Sequence, residues 1–123
     1  MPDLKRFLPL SPPQFHILLA LTDEERHGYG IILDVADRTR GELRLGTGTL
    51  YTALAGLAES GLVAESSRRP GRNDDTRRKY YRLTPLGRAV LEAETARLDT
   101  LVQLARRKGV PRFGSAALSR SRS

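Results

Sequence analysis

Few side chains in this 123-residue chain could carry out acid–base, nucleophilic or metal chemistry. The chain has no cysteine and two histidines, His16 and His27. We expect His16 to be structural and His27, which precedes a helix, to be a cap or loop residue that could lie near a phosphate. The paired carboxylates at 24–25 and 74–75 fall in predicted loops, and no glycine-rich segment has the context of a nucleotide-binding loop. The sequence therefore predicts no catalytic residue, no metal site and no cofactor.

The excess positive charge, +7 in total, is concentrated in two short segments. Residues 66–82 hold seven basic and two acidic side chains, and residues 106–123 hold six basic and no acidic ones. By contrast, residues 1–65 hold six basic and nine acidic side chains. This pattern is compatible with a polyanionic partner, of which nucleic acid is the commonest, and equally with a solvated loop and a disordered tail.

The length of the chain fits one domain. No run of apolar residues approaches the roughly 20 needed to cross a bilayer, and the N-terminal segment lacks the apolar stretch of a signal peptide. We expect a cytoplasmic protein with no membrane partner.

The first half of the chain predicts two helices joined by a loop. Ser11 and Gln14 have the spacing of a capping box before the first helix, and residues 22–26 predict a loop. A second helix is expected at 28–40, with Gly41 as its stop. Its predicted apolar stripe consists of Tyr29, Ile32, Leu33 and Ala36.

A third helix is expected from Thr47 or Gly48 to Ser60, with Thr47 as its N-cap. Its predicted buried stripe consists of Leu50, Leu54, Leu57 and Ala58. The opposite face carries only small groups, at Thr49, Thr52 and Gly56. Such a face can approach bases in the major groove closely, where threonine can contact base edges or a thymine methyl. The amides at 47–49 could bind a phosphate.

After Gly61 the pattern predicts two strands, at 62–67 and 78–83, joined by a long basic turn. Tyr81 and Leu83 are expected on one side of the second strand, with Tyr80 on the other. Phosphate contacts, which contribute affinity rather than sequence choice, are expected from the basic residues Arg68, Arg69, Arg72, Arg78 and Lys79. The pattern does not decide the role of the acidic pair at 74–75.

Thr84 and Pro85 predict the start of a long helix that ends near Lys108. Its early apolar stripe is predicted to consist of Leu86, Ala89, Val90 and Ala93. A later and offset stripe, expected to pair two copies of the chain, consists of Leu91, Leu98, Leu101, Val102 and Ala105.

Together these elements predict a mainly α fold with a small β hairpin, a winged helix-turn-helix with a long C-terminal helix. We expect an N-terminal arm at 1–10, a DNA-binding domain at 11–84, a dimerisation helix at 85–108 and a basic, disordered tail at 109–123. The function predicted is a sequence-specific regulator that binds double-stranded DNA. Pairing through the last helix predicts a homodimer on a palindromic site.

Four motifs in order resemble the PadR family of bacterial repressors: HGYGII at 27–32, GTLYTAL at 48–54, LAESGLV at 57–63 and RKYYRLTPLG at 78–87. The resemblance covers roughly residues 13–105. It implies a short-form repressor whose last helix dimerises. It also implies that Tyr29 and Tyr51 lie near DNA phosphates or in the core of the helix-turn-helix. Thr47 and Thr52 stand where family members often have proline.

Two other interpretations stay open. Winged helices sometimes bind proteins, although the third helix lacks the apolar or aromatic anchors that a protein-binding face needs. The resemblance also implies that some members release DNA when a small hydrophobic effector binds at the dimer interface, so such an effector is an alternative here.

Overall fold

The computed structural model describes residues 3–67 and 78–111. Over these ranges the chain forms a short 3-10 turn, four α-helices and three short strands. In chain order these are the turn Leu4–Phe7, α1 (Pro12–Ala20), β1 (Arg26–His27), α2 (Gly28–Arg38), α3 (Thr47–Glu59), β2 (Val63–Glu65), β3 (Tyr80–Leu83) and α4 (Pro85–Arg107). This order confirms the predicted fold class, a mainly α winged helix-turn-helix.

The helix starts largely follow the local sequence signals. The Ser11 hydroxyl accepts the N–H of Gln14, and the Gln14 side chain accepts the N–H of Ser11, which is the predicted capping box. The hydroxyl of Thr84 accepts the N–H of Gly87 at the start of α4. The predicted N-cap of α3 was wrong, because Gly46, and not Thr47, holds that position. Thr47 is already the first helical residue.

The sheet has three antiparallel strands in the order β1-β3-β2. β1 lies where a loop was predicted, and it pairs His27 with Tyr80. A strand of two residues has no alternation to detect, so only this pairing reveals it. In β3, Tyr81 and Leu83 pack against the core, while Tyr80 is buried against the His27 ring.

The core is an aliphatic cluster that α1, α2, α3, β2 and the first half of α4 share. Its fully buried members include Ile17, Leu18, Ile31, Val35, Leu50, Leu54, Leu57, Leu62, Val63 and Val90. In α3 the predicted leucines are buried, but Ala58 is exposed and Ala53 packs against the core instead. Ala58 had the correct spacing from Leu54 but lies at the margin of the buried face.

The predicted stripe of α2 was only partly correct: Ile32 packs against the core and Ala36 is partly buried, but Tyr29 and Leu33 are exposed. Ile31 and Val35 face the core, whereas Tyr29 and Leu33 are 54% and 52% exposed. Both pairs have i, i+4 spacing, so periodicity alone could not select between them. The helix also ends at Arg38 and not at residue 40, because Arg40 and Gly41 both adopt positive φ, at 53° and 80°.

α4 packs against the rest of the described chain mainly through its first half. Gly87, Val90, Leu91 and Glu94 are its buried residues. Of the predicted early stripe, Val90 is buried and Leu86, Ala89 and Ala93 are partly buried, so this stripe lies along one edge of the buried face. Because Gly87 has no side chain, α4 can lie directly against the backbone at Leu62, where a Cβ on residue 87 would come within 2.0 Å of the Leu62 carbonyl oxygen.

Candidate nucleic-acid interface

The outer face of α3 is open and almost free of large side chains. Thr49, Thr52 and Gly56 are exposed, as predicted for a face that approaches DNA. A Cβ atom placed on Gly48 or Gly56 would meet nothing within 4 Å. These glycines are therefore not required for packing inside the chain, and they leave room for an external partner.

This face forms one wall of a groove, and the start of α1 forms the other. The groove is lined by Ser11, Pro13, Gln14, Gly48, Thr49, Thr52, Ala53 and Gly56. The sequence did not indicate the contribution of α1, because the approach of α1 to α3 depends on core packing and not on a local motif. The wall formed by α1 offers few backbone donors, since Pro12 and Pro13 lack an N–H and the amide of Gln14 is bonded to Ser11.

The first turn of α3 offers more backbone donors. Its N-cap is a glycine, so no side chain caps the helix. The first helical amide with a backbone partner is that of Leu50, which donates to the Gly46 carbonyl at 2.9 Å. The amides of Thr47, Gly48 and Thr49 precede it and have no carbonyl within the helix to bond. The start of α3 therefore has the donors that a phosphate oxygen requires.

The two tyrosines singled out by the sequence lie at the outer edge of α2 and α3. Tyr29 is 54% exposed and Tyr51 is 50% exposed. The Tyr51 hydroxyl lies over the first residue of α2, where a Cβ on Gly28 would come within 2.4 Å of it. Burial raises the pKa of the nearby Tyr81, with smaller contributions from Tyr51 and Glu65. Tyr81 is therefore a packing residue, whereas Tyr29 and Tyr51 can reach a partner.

Two of the five basic wing residues lie in the described part of the chain. Arg78 and Lys79 are exposed immediately before β3. Arg68, Arg69 and Arg72 lie outside the described residues, as does the acidic pair at 74–75. Arg78 approaches the helix-turn-helix directly, because its Nη1 lies 3.1 Å from Nε2 of His27.

His27 was expected to be a cap or loop residue that could lie near a phosphate, and it is the N-cap of α2. Its Nδ1 accepts the N–H of Gly30 at 3.0 Å. The ring also meets the Tyr80 ring edge-on, with 5.2 Å between centroids. His16, the other histidine, stacks edge-on against Phe15 within α1, in agreement with a structural role.

The second half of α4 carries an apolar surface that the described chain does not cover. Leu98, Leu101 and Val102, all predicted for the dimer interface, are between 37% and 49% exposed, and Leu104 adjoins them. Ala105 is partly buried. Leu91, predicted in the same set, lies in the core of the chain and is 6% exposed. The later stripe therefore continues the face on which Gly87, Leu91 and Glu94 are buried, and it is offset, as predicted, from Leu86, Ala89 and Ala93.

The described residues contain no group of three or more histidine, cysteine, aspartate or glutamate side chains placed to hold a metal ion. None of the helices in the described part of the chain combines the length and apolar character that crossing a bilayer requires.

Comparison with known proteins agrees with this architecture. Residues 17–93 match the family model described as the transcriptional regulator PadR-like family. A transcriptional regulator of Mycobacterium tuberculosis is 33% identical over 90 residues, which are 73% of this chain and 78% of that protein.

Solved structures show the same fold. A PadR family transcription regulator from Clostridium difficile is 26% identical, with a TM-score of 0.64 that covers 79% of this chain and 97% of that one. Bacillus subtilis PadR, solved in complex with operator DNA, is 22% identical, with a TM-score of 0.57 over 69% of this chain and 47% of that one. At 22% identity, this similarity shows a shared fold and no more.

Proposed function

The chain belongs to the PadR-like family of transcriptional regulators, and we propose that it is a repressor that binds a palindromic DNA operator as a homodimer. Members of this family are regulators of transcription and not enzymes. Within the proposal, α3 enters the major groove, the wing holds the DNA backbone and α4 pairs two copies.

The observation that carries the proposal is the open outer face of α3. A helix in the major groove must let its backbone come near the bases, and large side chains would prevent this. Thr49 and Thr52 are short enough for that approach and can still hydrogen-bond a base edge. The free amides of the first turn would bind the adjacent phosphate.

The same face distinguishes DNA from a protein partner. A protein-binding surface normally has a central apolar or aromatic anchor, most often Trp, Tyr or Arg in a pocket. The groove beside α3 contains no such anchor, and its side chains are small or polar. We therefore prefer the DNA-binding regulator over the protein-interaction module.

The wing would supply the sequence-independent part of the affinity. Arg78 and Lys79 are exposed beside the helix-turn-helix, and Arg68, Arg69 and Arg72 extend the same basic segment in sequence. If these five residues neutralise about five phosphates in each subunit, the affinity of a dimer falls with salt at a log–log slope on the order of −9.

The apolar face of α4 supports the homodimer. Its residues follow one another at alternating intervals of four and three, at Gly87, Leu91, Glu94, Leu98, Leu101 and Ala105. This is the spacing at which two helices wind around each other. The chain covers the first three positions itself, and a second copy would cover the last three. Such pairing would set the two recognition helices about 34 Å apart, one turn of DNA.

Repression follows if the operator overlaps a promoter, because a bound dimer would obstruct RNA polymerase. Bacillus subtilis PadR was solved with operator DNA, and it shares the fold of this chain. This supports an operator as the target of the present chain.

Selection of bound fragments from random and genomic DNA tests the proposal and supplies the site. We expect an enriched palindrome with half-sites about 10 base pairs apart, bound more weakly as salt rises. A variant with Arg78→Ala and Lys79→Ala should enrich the same palindrome at reduced affinity. A folded, dimeric protein that binds no duplex in low salt would refute the proposal.

A further inference from the structure

The groove between α1 and α3 and the wing lie on opposite sides of α3. The groove has a volume of about 530 Å³, and Ala53 is part of its wall on α3. Tyr51 lies about 200° around the helix axis from Ala53, and its hydroxyl reaches over Gly28 at the start of α2. That side belongs to the wing, because His27, the residue before Gly28, pairs with Tyr80 of β3.

A helix that enters the major groove has a DNA backbone on each side. An α-helix with its side chains is about 10–12 Å across, and the major groove is about 12 Å wide. Both phosphate backbones therefore lie next to the helix. If the wing and the start of α2 are beside one backbone, the groove between α1 and α3 is beside the other.

The side chains that α1 contributes to this groove are hydrogen-bond donors. Ser11 and Gln14 both line it. In the capping box, the Ser11 hydroxyl oxygen accepts the Gln14 N–H at 3.2 Å, and the Gln14 Oε1 accepts the Ser11 N–H at 2.9 Å. The Ser11 O–H and the Nε2 hydrogens of Gln14 remain to donate, and no acceptor in the described part of the chain bonds them. Such donors match the oxygens of a phosphate.

We propose that the groove between α1 and α3 binds the phosphate backbone of the DNA strand opposite to the wing, and that Gln14 is the residue of α1 that donates to it. The inference rests on the proposed function and adds to it the contact with the second strand. Because Oε1 stays bonded to Ser11, the capping box fixes the orientation of the amide whose Nε2 donates. Gly56, where a Cβ would meet nothing within 4 Å, leaves room for the backbone. The contact fixes the register of α3 and reads no base.

Gln14→Glu tests the contact while preserving the capping box. Glutamate can accept the Ser11 N–H just as glutamine does, but it cannot donate, and it adds a negative charge beside the phosphate. We expect a thermal midpoint no lower than that of the wild type and an affinity at least about ten-fold lower on operator and scrambled duplexes alike. Gln103→Glu, the same change on α4 outside the groove, should leave both quantities unchanged. A loss from Gln14→Glu no larger than that from Gln103→Glu would overturn the inference.

Gln14→Met separates the lost donor from the added charge. Methionine is similar in length and neutral, and the Ser11 hydroxyl still caps the helix. The affinity should fall about ten-fold, as for one lost hydrogen bond to a charged group. A neutral amide releases no counterion, so the log–log salt slope should stay that of the wild type, whereas Arg78→Ala should make it less steep by about one for each subunit. Wild-type affinity for Gln14→Met would reduce the effect of Gln14→Glu to general repulsion and refute the contact.

Replacing single phosphates of the operator by neutral methylphosphonates locates the contact. Within one half-site, the cost of Gln14→Glu should disappear at a phosphate of one strand, and the cost of Arg78→Ala at a phosphate of the other. Costs that disappear on the same strand, or a cost of Gln14→Glu that no replacement removes, would contradict the placement of α1. If the wild type binds no duplex, the proposed function itself fails; if it binds and the Gln14 variants match it, only this inference fails.

Discussion

The carboxylate of Glu94 accepts the backbone N–H of Leu10 at 2.8 Å and so ties the segment before α1 to the middle of α4. Arg97 donates from Nε and Nη2 to the same carboxylate, at 2.5 and 3.1 Å. Glu94 is 2% exposed. The hydrogen bonds from Arg97 lower the pKa of Glu94, burial opposes them, and the Leu10 N–H lowers the pKa further. The anion is therefore the form that the fold stabilises.

Glu94→Gln should reduce the free energy of unfolding at pH 7 by about 1–3 kcal/mol, because it weakens hydrogen bonds to a charged, buried group. The folded-state pKa of Glu94 lies below its ordinary value of 4.5. Its contribution is therefore present above that pH and is lost as the pH falls through the folded-state pKa. Urea unfolding should give a smaller difference between variant and wild type at pH 3 than at pH 7.

The neighbouring Glu92 is the matched control for this prediction, since it is exposed on the same helix. Glu92→Gln should change the free energy of unfolding by less than about 0.5 kcal/mol. A difference between Glu94→Gln and wild type that stays constant from pH 7 to pH 3 would show that the carboxylate has no special stability in the fold.

Replacing each of two helical glycines by alanine should change the free energy of unfolding in opposite directions. Gly87→Ala would place a Cβ 2.0 Å from the Leu62 carbonyl oxygen, so α4 must move off β2. We expect a loss of about 3 kcal/mol or more. Gly56→Ala meets nothing within 4 Å and should stabilise α3 by about 0.5–1 kcal/mol. Thermal unfolding measures both, and equal effects would contradict the assigned roles.

The parts of the fold that depend on local chemistry could be predicted from the sequence. The capping box at Ser11, the start of α4 at Thr84 and the leucine face of α3 each need only neighbouring residues. β1 could not be predicted, because Arg26–His27 becomes a strand only by pairing with β3. The phase of α2 was partly missed for a related reason: core packing, not spacing, places Ile31 inside and Leu33 outside.

The candidate site also has parts that could be predicted from the sequence and parts that could not. Thr49 and Thr52 could be found from their spacing on one helix face. The pairing of His27 with Arg78 joins residues 51 positions apart, and the wall that α1 adds to the groove depends on the packing of α1 against α3. Neither leaves a local pattern, so only the folded chain brings them together.

Thr49→Val and Thr52→Val should weaken sequence preference more than nonspecific affinity. Valine keeps the shape of threonine but loses the hydroxyl, and a lost base-edge contact costs about 1–3 kcal/mol at one position of the site. Arg78→Ala with Lys79→Ala should instead weaken binding to all sequences similarly. Competition binding against operator and scrambled duplexes separates the two effects. An equal loss on every sequence from the threonine variants would count against direct readout by α3.

Gly46→Ser tests whether the first amides of α3 bind a phosphate. The backbone at Gly46, with φ −74° and ψ 157°, accepts any residue, and a Cβ there meets nothing within 4 Å. A serine hydroxyl would cap the helix and raise stability by a few tenths of a kcal/mol. It would also compete for the Thr49 N–H, so we expect several-fold weaker DNA binding. Gly46→Ala, which has no competing oxygen, should bind DNA as the wild type does.

Leu98→Glu combined with Leu101→Glu should convert the protein to monomers. Both side chains are substantially exposed on the apolar face of α4, so two carboxylates there cost the isolated fold little. In a paired helix they would place like charges in an apolar seam, which is strongly unfavourable. Sedimentation equilibrium measures the change, and the affinity for a palindromic operator should fall with it.

Gln103→Glu is the matched control for the dimer variant, because Gln103 is exposed and lies on the opposite side of α4 from Leu98. It adds a negative charge to the same helix without touching the proposed seam, so the dimer should persist. If the double variant kept a dimer of unchanged strength, α4 would not be the pairing surface, and the spacing of the two recognition helices would have to come from elsewhere. Monomers from both variants would instead indicate a general effect of charge on α4, so only the contrast between them supports the seam.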